Sequence, residues 1–210
     1  DDLKKCSRFW IILFKTILSK LYHWKIYVVG SVEYQYPNHL FQAGYFLDKK
    51  YYDENTIDFK HLLLSEKNQS LLKDIQNSNS VGVHIRRGDY MTKQNLVIFG
   101  NICTQKYYHD AIRIITEKVN DAVFYVFSDD ISWVQTHLDI PNAVYVNWNT
   151  GESSIYDMYL MSSCKYNIIA NSTFSYWAAR LNKKTNMVIY PSKWYNTFTP
   201  DIFPESWCGI

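Results

Sequence analysis

The sequence predicts an α/β protein: a parallel sheet with helices on both faces. Three observations carry this. From Val81 onward, short apolar runs alternate with segments of helical period, joined by short connections. The runs, such as AVFYVF at 122–127, are rich in β-branched and aromatic residues, as buried parallel strands are. The polar residues gather directly after these runs, at the strand ends where open α/β sheets bind ligands.

The elements follow in order. Residues 9–24 read as a helix, 25–32 (KIYVVGSV) as a strand, and Pro37-Asn38 as a turn. Residues 62–75 read as a helix, with Leu63, Leu64, Leu71, Leu72 and Ile75 as its apolar positions. The run Asn77-Ser78-Asn79-Ser80 is a polar break, which places a domain boundary between 1–80 and 81–210. In the second segment, strands are expected at 81–86, 122–127, 143–146, 166–170 and 187–190, the last closed by Pro191. Helices are expected at 104–119, 131–138, 153–163 and 173–181. The first of these places Ala111, Ile112, Ile115 and Val119 on one face.

The bulk numbers bound the function. With 210 residues the chain buries a real core. Hydrophobic content of 47% and charged content of 20% describe a globular protein. A net charge of +2 and the lack of any like-charge block argue against a nucleic-acid binder. Aromatic content is 17%, but composition does not locate a site. The four cysteines, Cys6, Cys103, Cys164 and Cys208, lie outside metal-ligand spacing, so no metal site is expected. Their scatter suits free thiols in a reducing compartment. The sequons at Asn68 and Asn171 read as chance matches. FWIILF at 9–14 is too short to span a membrane and lacks a signal-peptide cleavage site. It reads as a core-packing helix. A membrane-surface helix is the second reading, since Lys15, Lys20 and Lys25 accompany Trp10 and Trp24. A cytoplasmic protein is therefore expected, with peripheral contact at the inner membrane face as the variant.

Four strand ends carry the candidate chemistry: His84-Ile85-Arg86-Arg87-Gly88-Asp89, Ser128-Asp129-Asp130, Asn147-Trp148-Asn149 running into Ser154 and Asp157, and Asn171-Ser172-Thr173-Phe174-Ser175. Ser172 and Thr173 stand where a helix begins, and helix N-termini present free N–H groups to anions. An arginine on a neighbouring strand end would complete a phosphate site. The plainer readings are an N-cap at Ser172 and ion pairs from Arg86 and Arg87 to Asp129 or Asp89. Successive strand residues point to opposite faces, so both arginines reach one ligand only where the strand has ended. Gly88 permits that turn. Asp129-Asp130 reads as an N-cap and dipole partner. No Gly-x-Gly-x-x-Gly, Walker loop, Gly-x-Ser-x-Gly or Asp-x-Asp pattern occurs.

With these residues in view, the chain resembles glycosyltransferase family 11, the α-1,2-fucosyltransferases. VHIRRGDY resembles the family's His-x-Arg-Arg-x-Asp signature, FSDDISWV its second block, and NSTFSYWAARL with VIYPSKWY its third block and C-terminal strand. The resemblance covers about residues 40–210. It implies a GT-B-like fold, with 81–210 as the Rossmann-like GDP-sugar domain and 1–80 as a remnant of the acceptor-side domain. It implies GDP-fucose as donor substrate, a galactose-terminated glycan as acceptor, inversion at the anomeric carbon, and neither metal nor other cofactor. Arg86 would bind the β-phosphate, with Arg87 and His84 assisting. Ser172, Thr173 and Phe174 would line the phosphates and base. Asp157 matches the spacing of the guanine-reading aspartate of related O-fucosyltransferases. Asp89 has two readings, general base or orienter of Arg86 or His84. The family's Gly-rich opening segment is lacking and the chain begins at Asp1, so a fragment beginning inside the N-terminal domain is expected. The alternative function is a nucleotide-sugar-binding or degenerate domain without catalysis, or another GDP-fucose-dependent fucosyltransferase.

Overall fold

The computed structural model describes residues 57–210 and the backbone of two short strands before them. The chain divides into two compact units, Asp1–Tyr52 and Asp53–Ile210. In the first, β1 (Tyr27–Val29) pairs in parallel with β2 (Phe41–Ala43). β1 falls within the strand expected at 25–32. The helix expected at 9–24 and the turn at Pro37 lie outside the described residues.

The second unit is built on six parallel strands. These are β3 (Asn79–Ile85), β4 (Ala122–Ser128), β5 (Ala143–Val146), β6 (Tyr166–Ile168), β7 (Met187–Tyr190) and β8 (Cys208–Gly209). They lie in the order β5-β4-β3-β6-β7-β8. Counted within the sheet this is the doubly wound order 3-2-1-4-5-6, which reverses between β3 and β6. Six α-helices are found among the described residues: α1 (Glu66–Asn77), α2 (Lys93–Phe99), α3 (Gln105–Lys118), α4 (Ile131–His137), α5 (Ser154–Ser162) and α6 (Thr173–Arg180).

Strand alternation sorts the core into two layers. Val81, Val83, Ile85, Phe124 and Val126 face one way, beneath Tyr108, Ala111, Ile112 and Ile115 of α3 and Val134 of α4. Tyr125, Phe127, Val146 and Val188 face the other, against Leu71 and Ile75 of α1, Leu160 and Met161 of α5, and Ala178 and Ala179 of α6. Gly82 is small because α5 crosses there. A Cβ on it would lie 2.9 Å from Asn167 Nδ2 and 3.0 Å from Met161 Cγ. Tyr107 and Tyr108 bolt α3 to the strand ends, donating to the carbonyls of Ile169 at 2.6 Å and His84 at 3.2 Å.

Three features differ in detail from the sequence pattern. The chain divides into compact units at 52/53, and the residues around Ser80 run on within β3. The polar run there is tied into the sheet, not exposed as a linker. Ser78 Oγ bonds the Ile75 carbonyl and the Tyr125 hydroxyl, and Ser80 Oγ accepts from Lys165 N at 3.1 Å. α1 starts at Glu66 and not at 62, because Ser65 Oγ caps it by accepting from Asn68 N at 3.3 Å. Leu63 thus precedes the helix and is 86% exposed. Third, α2 and β8 were not foreseen. No residue of α2 is fully buried, so it carries no core-facing stripe, and β8 is two residues long.

Candidate functional site

The carboxyl ends of β3, β4 and β5 and the first turns of α5 and α6 enclose a cleft of about 500 Å³. It adjoins the point where strand order reverses, the place such sheets reserve for ligands. His84, Arg86, Asp129, Asn149, Asp157 and Phe174 line it, with Ser128, Asn147, Thr150 and Ser154 as further polar groups.

Arg86 follows the last residue of β3. Its guanidinium is held from two sides, by Asp89 Oδ1 at 2.6 Å and Asp129 Oδ2 at 2.9 Å. The ion pairs anticipated from sequence are therefore present, and they aim the arginine into the cleft. Asp129 Oδ1 also accepts from Arg87 N at 2.9 Å, which fixes the backbone turn. Gly88 serves this contact by being small. A Cβ there would lie 2.5 Å from Asp129 Oδ2, and its φ is not in the left-handed region.

Arg87 does not join Arg86 in the cleft. Its Nε donates to Asp130 Oδ2 at 3.2 Å and its guanidinium lies 3.6 Å from the Trp133 ring centre. It lines a separate cavity of about 220 Å³, with Tyr90, Phe99, Tyr108 and Trp133, which Arg86 also borders. The two arginines diverge even though β3 has ended. Asp130 caps α4, accepting from Trp133 N at 3.1 Å, as expected; Asp129 instead serves the arginines.

His84 is 5% exposed and faces Phe174, ring centres 5.1 Å apart. Burial, and then the charge of Arg86, push its pKa down to about 3, so the imidazole is neutral. Its Nδ1 is buried without a hydrogen-bond partner, a polar atom left open on a cleft-lining residue. Ser172 and Thr173 begin α6 as expected, but neither lines the cleft. Ser172 is buried and its side chain makes no cap bond. From that block Phe174 alone reaches the cavity wall. Asp89 is also outside the lining, 56% exposed at its side chain and engaged with Arg86.

Asp157, on the first turn of α5, is 8% exposed. Burial raises its pKa to about 7, against a lowering by the bond from Asn149 Nδ2 to its Oδ1 at 2.6 Å. Asn149 is paired in turn with Asn68 of α1. Asn68 was read only as a sequon, and it is 1% exposed. The other sequon asparagine, Asn171, is also buried, donating to the carbonyls of Trp194 and Phe99. No signal within the sequence connects Asn68 to this site. Cys103, Cys164 and Cys208 are free of disulfides. Among the described residues no cluster of His, Cys, Asp and Glu fit for a metal occurs, and no helix is long and apolar enough to cross a membrane.

A doubly wound parallel sheet with an arginine and a buried carboxylate in its switch-point cleft defines a doubly wound α/β protein. The pattern described as Glycosyl transferase family 11 matches residues 10–210, and the chain belongs to that family of glycosyltransferases. It is 35% identical over 196 residues to an Escherichia coli α-1,2-colitosyltransferase, covering 86% of this chain and 63% of that protein. It is 44% identical over 122 residues to the O-antigen biosynthesis glycosyltransferase WbnK of Escherichia coli, covering 57% and 40%. Against galactoside α-(1,2)-fucosyltransferase 2 of Pongo pygmaeus it is 28% identical over 163 residues, covering 71% and 48%. The chain thus spans between two fifths and two thirds of the length of these relatives. Among solved structures, the fucosyltransferase NodZ from Bradyrhizobium matches with a TM-score of 0.39 and 18% identity, over 56% of this chain and 42% of that one.

Proposed function

We propose that this chain carries the donor-binding part of an inverting, metal-independent α-1,2-fucosyltransferase that uses GDP-fucose and a galactoside 2-hydroxyl. One observation carries the reading: a single cleft holds a guanidinium fixed by two carboxylates together with a buried carboxylate free at one oxygen. The first suits a diphosphate, and the second suits the adjacent N1–H and amino donors of guanine. Neutral His84 and the Phe174 ring supply a flat wall beside them.

In the proposed reaction the acceptor oxygen bonds the anomeric carbon from the face opposite GDP. The bond from that carbon to the β-phosphate oxygen breaks, its electron pair leaves with the diphosphate, and the acceptor hydroxyl gives up its proton to a general base or to water. Arg86 neutralises the charge that develops there, already oriented before the substrate arrives. Asp89, paired to Arg86 at 2.6 Å, orients it in this reading; a carboxylate so engaged is a poor base. The names of the colitosyl and galactoside relatives share the α-1,2 linkage, which supports a 2-hydroxyl as the acceptor group. They differ in the sugar, so a colitosyl donor is the second reading.

Calorimetry of GDP binding in EDTA, with ADP and UDP as controls, tests the donor assignment. Metal-free, GDP-selective binding that Arg86→Ala abolishes is expected. Equal binding of ADP and GDP by the folded chain would overturn it. Transfer assays comparing GDP-fucose with GDP-colitose then decide the sugar.

A further inference from the structure

We propose that Asn68, on α1, is a positioning residue for the cleft: locked by Trp148, it orients the Asn149 amide, which in turn presents a donor to Asp157 for base recognition. The inference rests on the reading of Asp157 as the group that accepts from guanine.

The argument is one of hydrogen-bond polarity. An indole N–H only donates. Trp148 Nε1 donates to Asn68 Oδ1 at 2.7 Å, so that arm of Asn68 is the carbonyl. The Asn149 amide then pairs with it reciprocally. Asn68 Nδ2 donates to Asn149 Oδ1 at 3.0 Å, and Asn149 Nδ2 donates back to Asn68 Oδ1 at 3.1 Å. The remaining N–H of Asn149 goes to Asp157 Oδ1 at 2.6 Å. With Asn149 turned over, its one carbonyl would face both the Asn68 carbonyl and the Asp157 carboxylate, and the two amide NH2 groups would face each other. The indole therefore sets Asn68, Asn68 sets Asn149, and Asn149 offers Asp157 a donor.

The chain of bonds is anchored at its far end. Lys67 Nζ lies 3.7 Å from the Trp148 ring centre, and Ser65 caps the turn that carries Asn68. With Oδ1 engaged, Asp157 keeps Oδ2 for a ligand. The ionisable groups around it are His84, Arg86 and Asp129 in the cleft, Glu152 in the preceding turn, and Lys67 on α1. Burial and the Asn149 bond are nevertheless the two causes of its displaced titration, so the relay is what opposes burial.

The test is calorimetry on the full chain with GDP, IDP and ADP as probes, across pH. IDP lacks the guanine amino group. Asn68→Leu is near in shape and leaves Trp148 and Asn149 without their partner. It should weaken GDP binding about tenfold and shrink the preference for GDP over IDP. The acid limb of GDP binding should move to higher pH, because Asp157 loses the donor that lowers its pKa. Asn68→Asp still accepts from Trp148 but sets a second oxygen against Asn149 Oδ1 in place of the Nδ2 donor. It should therefore lose the GDP preference as Asn68→Leu does, and its added negative charge should raise the acid limb further. Asn149→Ala should match Asn68→Leu, and the double variant should be no worse than Asn149→Ala alone. A folded Asn68→Leu variant with unchanged base preference and unchanged acid limb overturns the proposal, as does a fully additive double variant. Failure of the donor reading is separate: it shows in the wild-type chain as no preference for GDP over ADP, and the inference falls with it.

Discussion

Asp157→Asn should make the ligand-free protein more stable, and by an amount that grows with pH. The carboxyl is displaced from 3.8 to about 7 mainly by burial. At about 1.4 kcal/mol per pH unit, ionising it costs the fold roughly 4 kcal/mol once pH is well above 7. The sign follows from proton uptake. Between 3.8 and about 7 the folded chain binds a proton that the unfolded chain has released, so stability declines as pH rises through that window. Asparagine retains an oxygen for the Asn149 N–H and does not ionise. Its amide N–H groups cost about 1 kcal/mol where they find no acceptor, but that cost is independent of pH. The advantage of the variant should therefore widen by roughly 3 kcal/mol between pH 5 and pH 8. Urea titration at both pH values would show it as a midpoint difference growing by about 1 M. The variant should at the same time lose selective GDP binding. A stability difference that does not change with pH would refute the reasoning, whatever its size.

Three further outcomes are expected. GDP affinity of the wild-type chain should fall about tenfold per pH unit once pH drops below the Asp157 pKa of about 7, as read by calorimetry in a constant-ionic-strength buffer series. Arg86→Lys should lose at least about tenfold in GDP affinity, because a point-charge ammonium does not reproduce a fork held by both Asp89 and Asp129; wild-type affinity in that variant would contradict the geometry. Tyr107→Phe should lower unfolding free energy by about 1 kcal/mol without altering GDP binding, since its hydroxyl donates to the buried Ile169 carbonyl outside the cleft.

Much of the fold was legible because its signals are local. AVFYVF reads as a strand and becomes β4, with its alternate residues divided between the two core layers. Thr104 and Asp130 cap α3 and α4 where the sequence expects helices to begin. The polar run at 77–80 does not mark exposure, because polarity along the chain does not show which partners the groups find in the fold. Ser78 and Ser80 spend their hydroxyls inside the fold, on Tyr125 and Lys165. α2 left no trace because it buries no stripe.

The sequence by itself determined the strand-helix rhythm and the candidates Arg86, His84, Asp157 and Phe174, because periodicity, capping and strand-end clusters are written within a few residues, and its motifs carried the resemblance to the family. Tertiary structure alone decided which of them share a cavity. Arg86 turns toward Asp129 and the cleft while Arg87 turns to Asp130 and Trp133. Ser172 and Thr173 stay behind Phe174, outside the lining. Asn68 enters the site from a helix 81 residues before its partner Asn149. Such meetings depend on strand order and on which face of the sheet a helix covers, and no run of neighbouring residues encodes either.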